Sequence, residues 1–183
     1  MFQQFQRLLI ALFFVFASLW LSFYYQHQLP EEIPTHFNAR GEPDRWQSRT
    51  TALVSFPAFQ GMMAFLYLLS SWLIKNPKYQ RFKFKTPLSE SQKKEIIANA
   101  EQIIDILMIS SLMIFLDLQW ESFRIALGRT KKLSLFLWII LAGMILSSLF
   151  YIVKLIKISR PSSTGFKEAE NNLTEGKTSG TKN

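Results

Sequence analysis

The chain has 183 residues, 49% of them hydrophobic and 15% aromatic against only 19% charged, a balance too apolar for a water-soluble domain. Its net charge of +8 would suggest nucleic acid in a soluble protein, but much of the excess flanks apolar runs, where basic cytoplasmic borders are expected, so no nucleic-acid partner is predicted. The absence of cysteine excludes disulfides, thiolate metal sites and a cysteine nucleophile.

Crossing a bilayer takes roughly 20 mostly apolar residues, and four segments qualify, at about 8–25, 51–74, 103–120 and 133–153. They predict an all-α integral membrane bundle over 8–155, in contact with the lipid bilayer. Arg7 ahead of an apolar run could suggest a secretory signal, but no small-x-small cleavage site follows, and the first span is expected to stay as an anchor. Pro57, Gln60 and Gly61 interrupt the second span and allow a kink and close helix approach; packing is the default role there, as it is for Met62 and Met63. The third span is the weakest, because it holds Asp105 and Asp117.

Arg7, the basic 75–102 stretch (Lys75, Lys78, Arg81, Lys83, Lys85, Lys93 and Lys94) and the 156–183 tail hold most of the Lys and Arg. This places both termini and the 75–102 loop in the cytoplasm and loops 26–50 and 121–132 outside. The 1–7 segment is then a short cytoplasmic N-terminus, and Arg124, Arg129, Lys131 and Lys132 make the third loop the least typical part of this topology. Ser89 and Gln92 have capping-box spacing, so a helix is predicted to start near Ser89 and run unbroken into the third span. The tail, rich in Ser, Thr, Gly, Asn and charge, is predicted to be disordered. The basic loop is suited to anionic lipid or to a cytoplasmic partner.

The 26–50 loop carries the most specific chemistry. Pro30 and Pro34 favour extended backbone around a buried Ile33, Asn38-Ala39-Arg40-Gly41 has the composition of a turn, and Glu42-Pro43-Asp44 offers a second bend. His36, Asn38 and Asp44 then converge across the turn, and three readings of them stay open. His36 is a structural hydrogen-bonding residue, with Asn38 capping the turn and Trp46 anchoring the second span at headgroup level; or His36 binds a divalent metal with Glu31, Glu32, Glu42 or Asp44; or His36 and Asp44 form an acid/base pair. The first is preferred, since one histidine is little for zinc and no nucleophile stands beside it. No cofactor is predicted.

Asp105, near the cytoplasmic end of its span, is expected to reach headgroup water. Asp117, near the outer end, motivates an outer polar pocket of His36, Asn38, Asp44, Asp117 and Arg124.

The string LPEEIPTHFNARGEPDRW between a first and a second span resembles the bacterial domain of unknown function numbered 1648. That domain forms the N-terminal part of proteins similar to SdpI, the membrane immunity protein against a secreted cell-killing toxin. The specific part is Ile33-Pro34-Thr35-His36-Phe37-Asn38 with Gly41 and Asp44. Asn76-Pro77, Thr86 and Arg124-Ile-Ala-Leu-Gly128 fit the same pattern, so the resemblance extends over about 8–155. SdpI-like chains continue with further spans where this sequence has four.

The resemblance implies a multi-pass protein of the bacterial plasma (inner) membrane whose partner is a peptide toxin or a neighbouring membrane protein in envelope stress. It transfers no chemistry, and the preferred reading of the chain is a non-enzymatic protein that recognises this partner through its external loop. His36, Asn38, Gly41, Asp44, Asp117 and Arg124 are the expected binding residues; Pro30, Pro34, Phe37 and Trp46 are the structural ones. The rivals are an outer-face enzyme built on His36 and a transporter component using Asp105, Asp117 and the interrupted span, for which self-association would be needed.

Overall fold

The computed structural model describes residues 2–76 and 90–158. Lys78, Arg81, Lys83, Lys85 and Thr86 of the basic loop, the proposed cap Ser89 and the 159–183 part of the tail lie outside them.

Among the described residues, four helices form where the apolar runs predict spans: α1 (Phe2–Tyr25), α2 (Arg49–Lys75), α3 (Glu90–Ala126) and α4 (Leu135–Ile158). Each is long and apolar enough to cross a bilayer, and large side chains such as Phe13, Phe65, Leu146 and Phe150 stand more than 60% exposed on the outside. Water would penalise that surface and acyl chains would not. The chain is a multi-pass membrane protein.

The helices run past the apolar stretches. α3, at 37 residues, is about 55 Å long against a hydrocarbon core of about 30 Å, so part of it stands in water. Ser48 caps α2, its hydroxyl accepting from the Thr51 N–H at 3.3 Å, and Asn76 closes it with an N–H bond to the Leu73 carbonyl. Pro57 sits inside α2 and is buried.

α1, α2 and α3 pack on one another, while among the described residues α4 lies along α3 and no other helix. Tyr67, Leu112, Ala11 and Ala64 fill the middle of the three-helix group, and Gln60, 1% exposed, donates to the Leu112 carbonyl at 2.9 Å. In lipid, where no water can replace it, such a bond ties two helices firmly.

The 26–50 loop is not irregular. It folds into an antiparallel hairpin of β1 (Glu32–Phe37) and β2 (Pro43–Ser48), so Pro43, expected in a bend, begins a strand. Leu29 and Ile33, the latter wholly buried, pack under the hairpin with Leu21, Tyr25, Ala52 and Phe123, fixing its base on α1, α2 and α3.

Candidate functional site

The hairpin tip follows from its residues. The Asn38 Oδ1 accepts from the backbone N–H groups of Arg40 at 2.8 Å and Glu42 at 3.1 Å, the Asn38 N–H donates to the Glu42 carbonyl, and the Gly41 N–H returns to the Asn38 carbonyl. Asn is suited to this because its short side chain copies a backbone turn. Gly41 has φ +76°, a region that residues other than glycine enter at a cost. Its carbonyl accepts from the Leu133 N–H at 2.9 Å, and a Cβ there would stand 3.2 Å from the Leu133 Cβ. The tip is thus seated on the connection between α3 and α4. Phe37 adds to this by packing against Ile125, Leu133 and Leu137.

The pairing is irregular on either side of His36, and such irregularities re-aim side chains at the rims of sheets. The result is a cross-strand contact between the His36 Nδ1 and the Asp44 carboxylate. The two side chains are 55% and 39% exposed, so the pair holds a geometry without adding much stability. Fixing Nδ1 leaves Nε2 as the ring's second functional atom, the usual way a histidine is oriented for a ligand.

Beneath the hairpin lies a groove of about 650 Å³ walled by His36, Asn38, Arg45 and Trp46 above and by Phe59, Phe115, Leu137 and Trp138 of α2, α3 and α4 below. The hairpin contributes mostly polar side chains and the helices mostly aromatic and aliphatic ones, which suits an amphipathic ligand. β2 faces outward along almost its whole length.

The expected site residues divide into two groups. His36, Asn38, Gly41 and Asp44 come together in the hairpin. Asp117 and Arg124 do not join them through any hydrogen bond or ion pair among the described residues: Arg124 pairs with Glu121 at 2.9 Å, and Asp117 lines a different cavity, between α1 and α4. Of the structural residues, Pro34 and Phe37 turn inward, whereas Pro30 and Trp46 are exposed. Among the described residues no group of three or more His, Asp or Glu side chains could hold a metal.

Asp105, its side chain one third exposed, has partners that its place in the sequence does not reveal: its carboxylate accepts two bonds from Arg7 at 2.8 Å, through Nε and Nη2, and a third from the Tyr67 hydroxyl at 2.9 Å. The Glu101 carboxylate approaches the same guanidinium at 3.3 Å and is itself paired with the Lys75 ammonium at 3.4 Å. Arg7, only 5% exposed, is therefore no mere basic flank but the centre of a network joining α1, α2 and α3. Two charges beside apolar runs are visible in the sequence; their common depth, which pairs them, is not. A second link that the sequence did not announce is Gln119, which bonds the carbonyl of Ser18 at 3.0 Å and the hydroxyl of Ser22 at 2.9 Å and accepts from the Ser18 hydroxyl.

Residues 13–61, with the hairpin at their centre, match the family described as a domain of unknown function, DUF1648. No curated protein and no solved structure matches. The DUF1648 segment comprises the second half of α1, the hairpin and the first part of α2. Asn76-Pro77, Thr86 and Arg124–Gly128, which the sequence comparison placed in the same pattern, lie beyond it.

Proposed function

We propose that this protein is a non-enzymatic receptor of the bacterial inner membrane, SdpI-like in role, whose hairpin and underlying groove recognise a membrane-active peptide or a neighbouring membrane protein during envelope stress. The observation that carries the reading is that the DUF1648 hairpin roofs a groove to which it brings mostly polar side chains and the helices mostly aromatic and aliphatic ones. A peptide with one apolar face fits such a groove, and the outward β2 strand offers main-chain groups to an extended partner. The basic residues of the termini and the 75–102 loop support a cytoplasmic placement of both, which puts the hairpin outside.

The test is survival of sensitive bacteria expressing the native protein or His36→Ala at matched membrane levels, challenged with a panel of secreted membrane-active peptides. Protection by the native protein that His36→Ala loses is the expected result. No protection against any peptide that an SdpI-like control resists would overturn the immunity role.

The His36–Asp44 pair also favours a second reading, an outer-face enzyme in which Nε2 is a base or a metal ligand. Stoichiometric metal in the purified protein, lost in His36→Ala, would decide for it.

A further inference from the structure

Because, among the described residues, α4 packs on α3 and on no other helix, a cleft remains between α1 and α4 with α3 as its floor. Its cavity measures about 540 Å³ and is lined by Phe13, Trp20, Met113, Trp120 and Phe136 among others, with one charged residue, Asp117. The volume lies in the range of small-molecule sites. The Asp117 Oδ2 is buried and has no hydrogen-bond partner among the described residues. Glu121, one turn further on, is offset by Arg124; no cation is paired with Asp117 among the described residues. A carboxylate in an apolar wall is costly unless a proton or a cation neutralises it, and an open cleft beside it gives a cationic ligand a place to do so.

The surrounding rings narrow the chemistry. Trp20 and Trp120 belong to the same cavity as the carboxylate, and indole faces attract ammonium groups through their quadrupole. Met113 lies one helical turn deeper than Asp117 along α3, about 6 Å further from the hairpin, and Phe13 continues the apolar wall on α1. A ligand would therefore present a positive head to Asp117 and an apolar chain towards Met113 and Phe13. An anionic head would meet like charge.

We propose that the cleft between α1 and α4 binds a cationic amphiphile, its ammonium on the Asp117 carboxylate beside Trp20 and Trp120 and its chain directed inward. The cleft is separate from the groove under the hairpin, so this proposal stands or falls independently of the receptor reading.

The test uses the full chain in discs of zwitterionic phospholipid, with Trp46, Trp72 and Trp138 changed to Phe so that Trp20 and Trp120 report. The probes are 3-bromoundecyl-trimethylammonium and, as the uncharged control, the alcohol 3-bromoundecan-1-ol, whose bromine, carried close to the head, quenches tryptophan at contact range. Quenching by the cation should reach its midpoint at about tenfold lower concentration than in the same background carrying Asp117→Asn, while the alcohol midpoint stays unchanged and Asp117→Glu keeps the preference. Removing an unpaired carboxylate leaves the packing intact, so Asp117→Asn is expected to fold. Thermal stabilisation of the chain with all its tryptophans by the same two probes gives a reading independent of the Phe substitutions. A cation midpoint that Asp117→Asn leaves unchanged, equal stabilisation by cation and alcohol in the native chain, or absence of quenching by either probe would each overturn the proposal.

Discussion

The two ends of the bundle treat charge in opposite ways. At the end carrying the chain terminus, Arg7, Asp105, Glu101, Lys75 and Tyr67 are hydrogen-bonded or ion-paired to one another and join three helices. At the hairpin end, His36 and Asp44 pair in the open, Glu121 pairs with Arg124, and Asp117 has no hydrogen bond or ion pair among the described residues to any other helix and keeps one buried oxygen without a partner there. At the other end the one unpartnered nitrogen of Arg7, Nη1, belongs to a guanidinium otherwise engaged by Asp105 and Glu101. Buried charge paired with charge on a neighbouring helix holds those helices in register, whereas exposed or unpaired charge is available to something else. The difference separates residues that maintain the bundle from residues free to meet a ligand.

The largest effect expected from breaking that contrast is at the end held by the Arg7 network. Asp105→Ala leaves Arg7 buried without its main partner and should cost about 3 kcal/mol, read as a lowered unfolding midpoint in detergent; an unchanged midpoint would remove the network's structural role. Gly41→Ala comes next, at about 1–2 kcal/mol, since it combines an unfavourable φ with a tight approach to Leu133. Faster hydrogen exchange at the Leu133 amide would show the tip lifting. Asn38→Ala removes the acceptor of two turn N–H groups and should cost about 1 kcal/mol by the same unfolding assay.

His36→Ala should change stability by less than about 0.5 kcal/mol while removing partner recognition, a split between folding and function that a purely structural histidine would not give. The smallest quantity is the coupling between His36→Ala and Asp117→Asn. The two residues line different cavities, and their effects on stability should add within about 0.5 kcal/mol; a larger coupling would restore the single outer pocket that the sequence suggested.

Hydropathy made the helices legible, because a bilayer imposes length and composition on each span separately. The Asn38–Gly41 turn and the burial of Ile33 were legible for a similarly local reason. The strands were not. Each has six residues and contains a proline, which weakens any strand signal, and the hairpin is held largely by what Ile33 and Phe37 touch on distant helices. The division of the polar residues was hidden for another reason. Asp117 and His36 belong to the same end of the bundle, but which side of α3 a residue faces depends on where α1 and α4 pack, and one sequence does not state that. Arg7 and Asp105, separated by 98 positions, illustrate the same limit.

The hydrogen bond from the Leu133 N–H to the Gly41 carbonyl has a mechanical consequence. It fastens the hairpin tip two residues before Leu135, the first residue of α4, and α4 is the helix that, among the described residues, packs on only one other. Tip and helix root behave as the two sides of a clasp: while it is shut, a pull on the hairpin is carried into α4, and once the tip lifts away, α4 is restrained by α3 alone.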